Sequence, residues 1–130
     1  MSELRVLVGT TDFERSSAFY GGVLGFAVAE HWDDPDGRGT LFRATGGSVI
    51  EVVEESPHHP FERPAGVKIA IEVDDVDALY ARVVQAGSEI VDPIGERPWG
   101  HRNFEFLDPS GLHLVLFTPT DVAHPSASAR

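Results

Sequence analysis

The chain of 130 residues contains no cysteine, so disulfides, thiolate metal sites and a cysteine nucleophile are excluded. Positive charge is also scarce: ten lysine and arginine residues face 21 acidic ones, and Lys68 is the single lysine. The formal net charge is -11. Nucleic acids and anionic membrane surfaces bind clustered positive charge, so this composition argues against both as partners.

Long hydrophobic runs are absent as well, and no stretch of the sequence is long enough to span a bilayer. The N-terminus is acidic and leads straight into a strand pattern, so we expect no signal peptide and a cytoplasmic location. With 42% hydrophobic and 24% charged residues, the composition is that of a globular protein with a real core. We expect one domain over residues 1–120 and a loose tail over residues 121–130.

A strand followed by a helix start occurs twice, 63 residues apart. In the first half Leu4–Val8 predicts a strand, and Thr11 with Glu14 forms a capping-box pattern. In the second half Val67–Ile71 predicts a strand, and Asp74 with Asp77 marks the helix start. Glycine ends both helical patterns, at positions 25 and 87.

Three short strand patterns follow each predicted helix. In the first half they cover Phe26–Trp32, Thr40–Ala44 and Ser48–Val53, and in the second half Glu89–Val91, Arg102–Leu107 and Leu112–Phe117. Each half therefore reads as a βαβββ module, with module one at about 4–54 and module two at about 67–118. The segment between them, about 55–66, carries three prolines and is predicted to be a linker.

The last two strands form the clearest hairpin in the chain. Asp108–Gly111 is a turn, with proline at its second position and glycine at its end. Beyond it, three leucines alternate with His113, Val115 and Phe117. The leucine face predicts burial in the core, and the opposite face is free to line a ligand site.

These pieces resemble the vicinal oxygen chelate superfamily, which includes glyoxalase I, extradiol dioxygenases and bleomycin-resistance proteins. The matching motifs, in their expected order, are Asp12–Ser16, Phe19–Tyr20, Leu24–Phe26, Ile50–Val52, Ile69–Val76 and Asp108–Gly111. The resemblance implies an α+β fold of two βαβββ modules, with eight strands in a mixed, cupped sheet and the helices outside. It also implies a trough for a small ligand and a homodimer.

Enzymes of that superfamily typically hold one divalent metal ion in the trough, and the resemblance places its ligands at four positions of this chain. Glu51 matches the family carboxylate, whereas Arg5, Lys68 and Val115 replace the other three ligands. Arginine offers only donors, lysine must lose a proton before it can coordinate, and valine has no lone pair. We therefore expect no metal and no other cofactor.

By strand parity Arg5, Glu51 and Lys68 project to one side, so we expect Glu51 to bridge the two cations. Two interpretations remain open. The surplus positive charge receives an oxygen of a ligand, or the ion pairs are structural and merely fill the vacated metal site.

Further ligand-binding candidates are aromatic or basic. Trp99, His101 and Arg102 lie in or beside a P-W-G loop, where tryptophan can stack on a planar ligand and arginine can grip a carboxylate. The alternative is that Trp99 packs in a dimer interface. Trp32, Phe42 and His113 are either pocket residues or ordinary core and surface residues. The adjacent His58 and His59 lie in the linker and favour a solvated loop over a metal site.

The leading functional hypothesis is metal-independent binding of a small molecule, as in antibiotic sequestration. The alternative is a lyase, isomerase or dioxygenase with an atypical metal site, or metal-free acid/base chemistry with Glu51 as the base. A third possibility is an accessory subunit that binds a metabolite.

Overall fold

A computed structural model describes residues 2–120 of the protein. Its strands are β1 (Arg5–Thr10), β2 (Ala27–Asp34), β3 (Gly37–Arg43), β4 (Val49–Glu54), β5 (Lys68–Glu72), β6 (Ile90–Arg97), β7 (His101–Leu107) and β8 (His113–Pro119). The helices are α1 (Phe13–Ala18), continued by a π-helical turn (Phe19–Val23), and α2 (Val76–Gln85). The predicted loose tail, 121–130, lies outside the described residues.

The chain divides into two compact units, each with one mixed four-stranded sheet. Unit 1 comprises residues 2–67 and Asp108–Leu112, and its strand order is β1-β4-β3-β2. Unit 2 comprises Lys68–Leu107 and residues 113–120, with strand order β5-β8-β7-β6. In each sheet the first pair is parallel and the other two pairs are antiparallel.

The predicted α+β class, the repeated βαβββ order and all eight strands are confirmed. Hydrogen bonding divides the strands into two sheets of four. The helix starts are one residue later than predicted. The N-cap side chains are those of Asp12, which accepts from the Arg15 amide, and Asp75, which accepts from the Ala78 amide. The grouping of both modules into a single domain stays a prediction.

The first helix changes its winding after only six residues. From Phe19 to Val23 it continues as a π-helical turn, in which the Leu24 amide donates to the Phe19 carbonyl at 2.9 Å. Gly21 and Gly22 lie in this turn, and glycine stabilises an α-helix poorly. The wider turn places Tyr20 in the core, where its side chain is fully buried.

Each sheet has one face covered by its helix, called here the helix face, and an opposite helix-free face. In unit 1 the Thr10 and Ser16 hydroxyls are 2.7 Å apart, which places α1 over the face that carries Val8, Val52 and Phe42. In unit 2 the helix face carries the leucines predicted to be buried. Its fully buried side chains are Phe104, Phe106, Leu114 and Leu116. Burying such a side chain contributes about 1.5–3 kcal/mol.

The Asp108–Leu112 turn belongs to unit 1, although the strands it joins belong to unit 2. Asp108 is buried and accepts four hydrogen bonds: from the Tyr20 hydroxyl at 2.5 Å, from the Ser110 amide and hydroxyl, and from the Leu112 amide. Burial, with the nearby Asp108 charge, raises the pKa of Tyr20 well above its ordinary value. Tyr20 therefore stays a donor to this carboxylate.

Within residues 2–120, no helix has both the length and the apolar character needed to cross a membrane.

Replacing Tyr20 with phenylalanine tests the buried bond. Tyr20→Phe removes the donor while Asp108 stays buried, so we expect the free energy of unfolding to fall by about 1.5–3 kcal/mol. Chemical denaturation followed by circular dichroism measures it. Tyr80→Phe, which removes the hydroxyl of a half-buried tyrosine in α2, is the matched control and should cost less than about 0.5 kcal/mol. Equal losses in the two variants would contradict the assignment.

Candidate ligand site

The helix-free face of unit 1 carries an ion pair at the first two predicted site residues. Leu7 on β1 lies opposite Glu51 on β4, and the Arg5 guanidinium donates to Glu51 Oε1 at 3.0 Å. Arg5 also pairs with Glu3 at 2.7 Å, and the hydrogen bonds that its guanidinium donates to Glu3 and Glu51 raise the pKa of Arg5. The Glu51 side chain is only 13% exposed, so it lies beneath the guanidinium. The predicted pairing of Arg5 with Glu51 is confirmed.

Trp32 lies on this same face. It is the cross-strand partner of Gly39, which shares a face of β3 with Leu41, the partner of Glu51. Its indole covers Gly39 so closely that a Cβ atom at position 39 would lie 2.0 Å from Trp32 Cζ2. Only a glycine permits this contact. The indole is half-buried and presents a flat apolar surface, and a contact of Trp32 with a ligand stays a prediction.

The helix-free face of unit 2 carries a three-residue charged cluster. Glu105 on β7 accepts from Lys68 Nζ at 3.0 Å and hydrogen bonds to His113 Nδ1 at 2.7 Å. Lys68 thus has Glu105 as its partner, where the sequence analysis expected Glu51. Burial alone would raise the pKa of Glu105, but the hydrogen bonds from His113 and Lys68 outweigh it and lower the pKa. Glu105 is therefore ionised at neutral pH.

Glu105 is not among the predicted site residues, although its position is readable from the pattern. Glu105 alternates with the buried Phe104 and Phe106, and on the sheet it is the cross-strand partner of Val115. Glu105 thus places a carboxylate beside Val115, the position at which the resemblance implies a carboxylate ligand. Its other neighbours on this face include the rings of His101 and Phe117, which stack with centroids 4.2 Å apart. His113, Val115 and Phe117 share one face, as predicted, and His101 lies on that face too.

Two predicted site residues lie on the opposite, helix faces. Phe42 is 1% exposed and packs beside Tyr20, with ring centroids 5.9 Å apart. Arg102 donates three hydrogen bonds to Asp77 of α2, the shortest being 2.7 Å, so its guanidinium holds the helix on the sheet. Their even positions on β3 and β7 put them there by strand parity. Trp99 is half-buried in the turn between β6 and β7.

The side chains at the four expected metal-ligand positions do not fit a divalent ion. Arg5 and Lys68 are ion-paired with carboxylates, and the Val115 side chain carries no atom that could ligate a metal ion. Among residues 2–120, no three His, Asp or Glu side chains come together in an arrangement that could hold a metal ion. The carboxylates of Glu51 and Glu105 are instead neutralised by cations of their own sheets.

A comparison with known protein families agrees with the resemblance seen in the sequence. Residues 4–116 match the model of the Glyoxalase/Bleomycin resistance protein/Dioxygenase superfamily. The chain belongs to this superfamily.

Proteins with different names and roles are similar to this chain. A lactoylglutathione lyase of Neisseria meningitidis serogroup B is 33% identical over 121 residues, which are 88% of each protein. The anthracycline biosynthesis protein DnrV of Streptomyces peucetius is 30% identical over 85% of this chain, which spans only 44% of DnrV. The crystal structure of TnmS3, an antibiotic-binding protein from Streptomyces sp. CB03234, superposes with a TM-score of 0.72. It is 27% identical, and the match covers 92% of this chain and 97% of TnmS3.

Gly39→Ala tests the packing of the Trp32 indole on Gly39. The new methyl group displaces the ring, so we expect a loss of about 1–3 kcal/mol in unfolding free energy and a red-shifted Trp32 emission. The measurement uses a Trp99→Phe background, which leaves Trp32 as the only tryptophan. Gly22→Ala, where an added Cβ meets nothing within 4 Å, is the control and should leave the emission unchanged.

Acid titration tests the Glu105 cluster. The pKa of Glu105 is lowered in the folded protein from an ordinary value of 4.5, so its stabilisation is present above that pH and lost as the pH falls through the folded pKa. Unfolding free energy measured from neutral to acidic pH should therefore decline less in Glu105→Gln than in the wild type. Glu89→Gln, at an exposed position of the same unit, should follow the wild type. Parallel curves for Glu105→Gln and the wild type would count against the cluster.

Proposed function

We propose that this protein binds a small organic molecule without a metal ion, and that its biological role is to sequester an antibiotic-like compound. The observation that carries the proposal is the replacement of the superfamily's metal ligands by internally paired charges: Arg5 with Glu51, and Lys68 and His113 with Glu105. Among residues 2–120, these pairs leave no cluster of His, Asp or Glu side chains that could hold a metal ion. They do leave hydrogen-bonding groups on the same faces as Trp32 and the His101–Phe117 stack.

This combination suits binding better than metal-assisted catalysis. Ligand sites are mostly apolar with a few fixed polar groups, and aromatic side chains provide flat contact area. The antibiotic-binding name of TnmS3 and the biosynthetic name of DnrV support a ligand of the antibiotic class. We further propose that the protein acts in the cytoplasm as a homodimer, since the superfamily resemblance implies dimers.

A thermal-shift experiment tests the proposal. Zinc, nickel, manganese and iron(II) should leave the melting temperature of the chelator-treated protein unchanged. A panel of planar aromatic antibiotics and small carboxylates should contain compounds that raise it, because a ligand of the folded state stabilises by mass action. A metal that raises the melting temperature and is required for binding would overturn metal independence. Failure of every organic compound would overturn sequestration.

Glu51→Gln then tests the place of binding. We expect about a tenfold weaker affinity for the compound found in the screen, because the Arg5 guanidinium loses its fixed position. Glu62→Gln, at an exposed residue of the segment before β5, is the matched control and should bind like the wild type. A Glu51→Gln protein with a lower melting temperature and unchanged affinity would show that the Arg5–Glu51 pair is only structural.

A second candidate function rests on the His113–Glu105 contact. A carboxylate that holds one imidazole nitrogen at 2.7 Å leaves the other, Nε2, for proton transfer, which favours acid/base chemistry of the lyase or isomerase type. Glu51, which the sequence analysis named as the base, is instead occupied by Arg5. The Neisseria relative is named for lactoylglutathione, so incubation with that compound distinguishes the two candidates. Turnover that is lost in His113→Gln would favour the enzyme, and absence of turnover agrees with a binding protein.

A further inference from the structure

Unit 1 contains a cavity of about 500 Å³ on the helix face of its sheet, between α1 with its π-helical turn and strands β2 and β3. It lies on the face opposite to Arg5, Glu51 and Trp32, so it is separate from the site proposed above. Its volume is within the range of small-molecule sites. The apolar and aromatic part of its lining is Phe13, Ala18, Gly21, Val28, His31 and Phe42.

Aromatic rings form the floor of the cavity. Phe13 and Phe42 are 6% and 1% exposed, and the His31 ring lies 6.3 Å from that of Phe13. A Cβ atom at Gly21 would lie 3.1 Å from Phe42 Cε1, so the backbone of the π-helical turn approaches this ring directly. Such a wall without protruding side chains fits a flat ring system better than a branched aliphatic one.

Polar groups occupy one side of the cavity. Thr40 Oγ1 is 3.3 Å from His31 Nδ1 and 3.4 Å from Ser17 Oγ. These contacts are at the long end of hydrogen-bond distances, so the hydroxyls and the imidazole keep capacity for a ligand. The apolar floor with a short polar row is the usual composition of a ligand pocket.

The charge of the rim is negative. Arg38 lies over the Phe13 ring at 4.8 Å and is already paired with two carboxylates, those of Glu14 and Glu54. The hydrogen bonds from Arg38 lower the pKa of both carboxyls, which are therefore ionised at neutral pH. Asp33, the cross-strand partner of Arg38, is a third carboxylate, so three negative charges lie near one guanidinium. This surplus favours a cation and disfavours an anion.

We propose that this cavity is a second small-molecule site and that it takes a planar aromatic cation. The rings of Phe13 and Phe42 contact the flat body of the ligand. The Ser17 and Thr40 hydroxyls hydrogen bond to its polar substituents, and Asp33 and Glu14 attract its positive charge.

Fluorescence titration with three tricyclic probes of different charge tests the ligand class. Proflavine is a planar cation, acridine is its neutral counterpart at neutral pH, and an anthracene sulfonate is an anion. We expect affinity to fall in that order, and we expect salt to weaken proflavine binding most. A sulfonate that binds as tightly as proflavine would overturn the proposal.

Variants that fill the cavity test its location. Ala18→Trp places an indole in the cavity from α1, and Val28→Trp does so from the exposed strand β2, where Val28 is 57% exposed. Both should bind proflavine about tenfold more weakly or worse. Ala81→Trp, at an exposed position of α2 in unit 2, is the matched control and should bind like the wild type. Wild-type affinity in both filled variants, with folding checked by circular dichroism, would overturn the proposal.

Removing one charge tests the acidic rim. Asp33→Asn should weaken proflavine binding about two- to fivefold and leave acridine binding unchanged. Glu30→Gln removes a charge from the same strand on the opposite face, since Glu30 pairs with Leu41, and should change neither affinity. An equal loss in the two variants would mean that net charge, and not this cavity, attracts the dye, and would overturn the assignment. Glu30 lies on the helix-free face and Asp33 on the helix face of the same sheet. Failure of the cavity proposal is therefore distinguishable from failure of the metal-independent site around Arg5, Glu51 and Trp32.

Discussion

The hydrogen bond between Tyr20 and Asp108 is the constraint on which unit 1 depends. It joins a π-helical turn to a turn 88 residues further along the chain, and both partners are buried. A buried carboxylate is costly unless its acceptor sites are filled, and Asp108 fills them with the tyrosine hydroxyl and three groups of its own turn. The conformation of the Asp108–Leu112 turn and the position of the first helix are therefore determined together.

Charge pairing within each sheet determines what the helix-free faces can do. Glu51 and Glu105 are each held by cations of their own unit, so each carboxylate fixes the position of a donor group. The pairs are partly exposed, so their contribution to stability is modest, and their main consequence is a fixed pattern of hydrogen-bonding groups.

Strand parity explains why the predicted site residues Phe42 and Arg102 lie on the helix faces. Phe42 and Arg102 are an aromatic and a cation with suitable chemistry for a ligand, yet both point toward a helix. The cavity of unit 1 was missed for the same reason, since His31 and Thr40 look like unrelated polar residues until β2 and β3 are paired. The sequence did contain a signal for the cavity. His31 and Asp33 are two residues apart on one strand, as are Arg38, Thr40 and Phe42 on the next, so each set lies on one face.

The sequence by itself determined the two βαβββ modules and the eight strands, because these follow from local periodicity and turn residues. Its motifs also carried the resemblance to the superfamily and the departure from that family's metal-ligand pattern at Arg5, Lys68 and Val115. Only the tertiary structure decided that Lys68 pairs with Glu105, that Trp32 covers Gly39, and that a cavity with an acidic rim lies under α1. The physical reason is strand register: cross-strand partners are far apart in the chain, and a shift of one residue would turn every side chain to the other face.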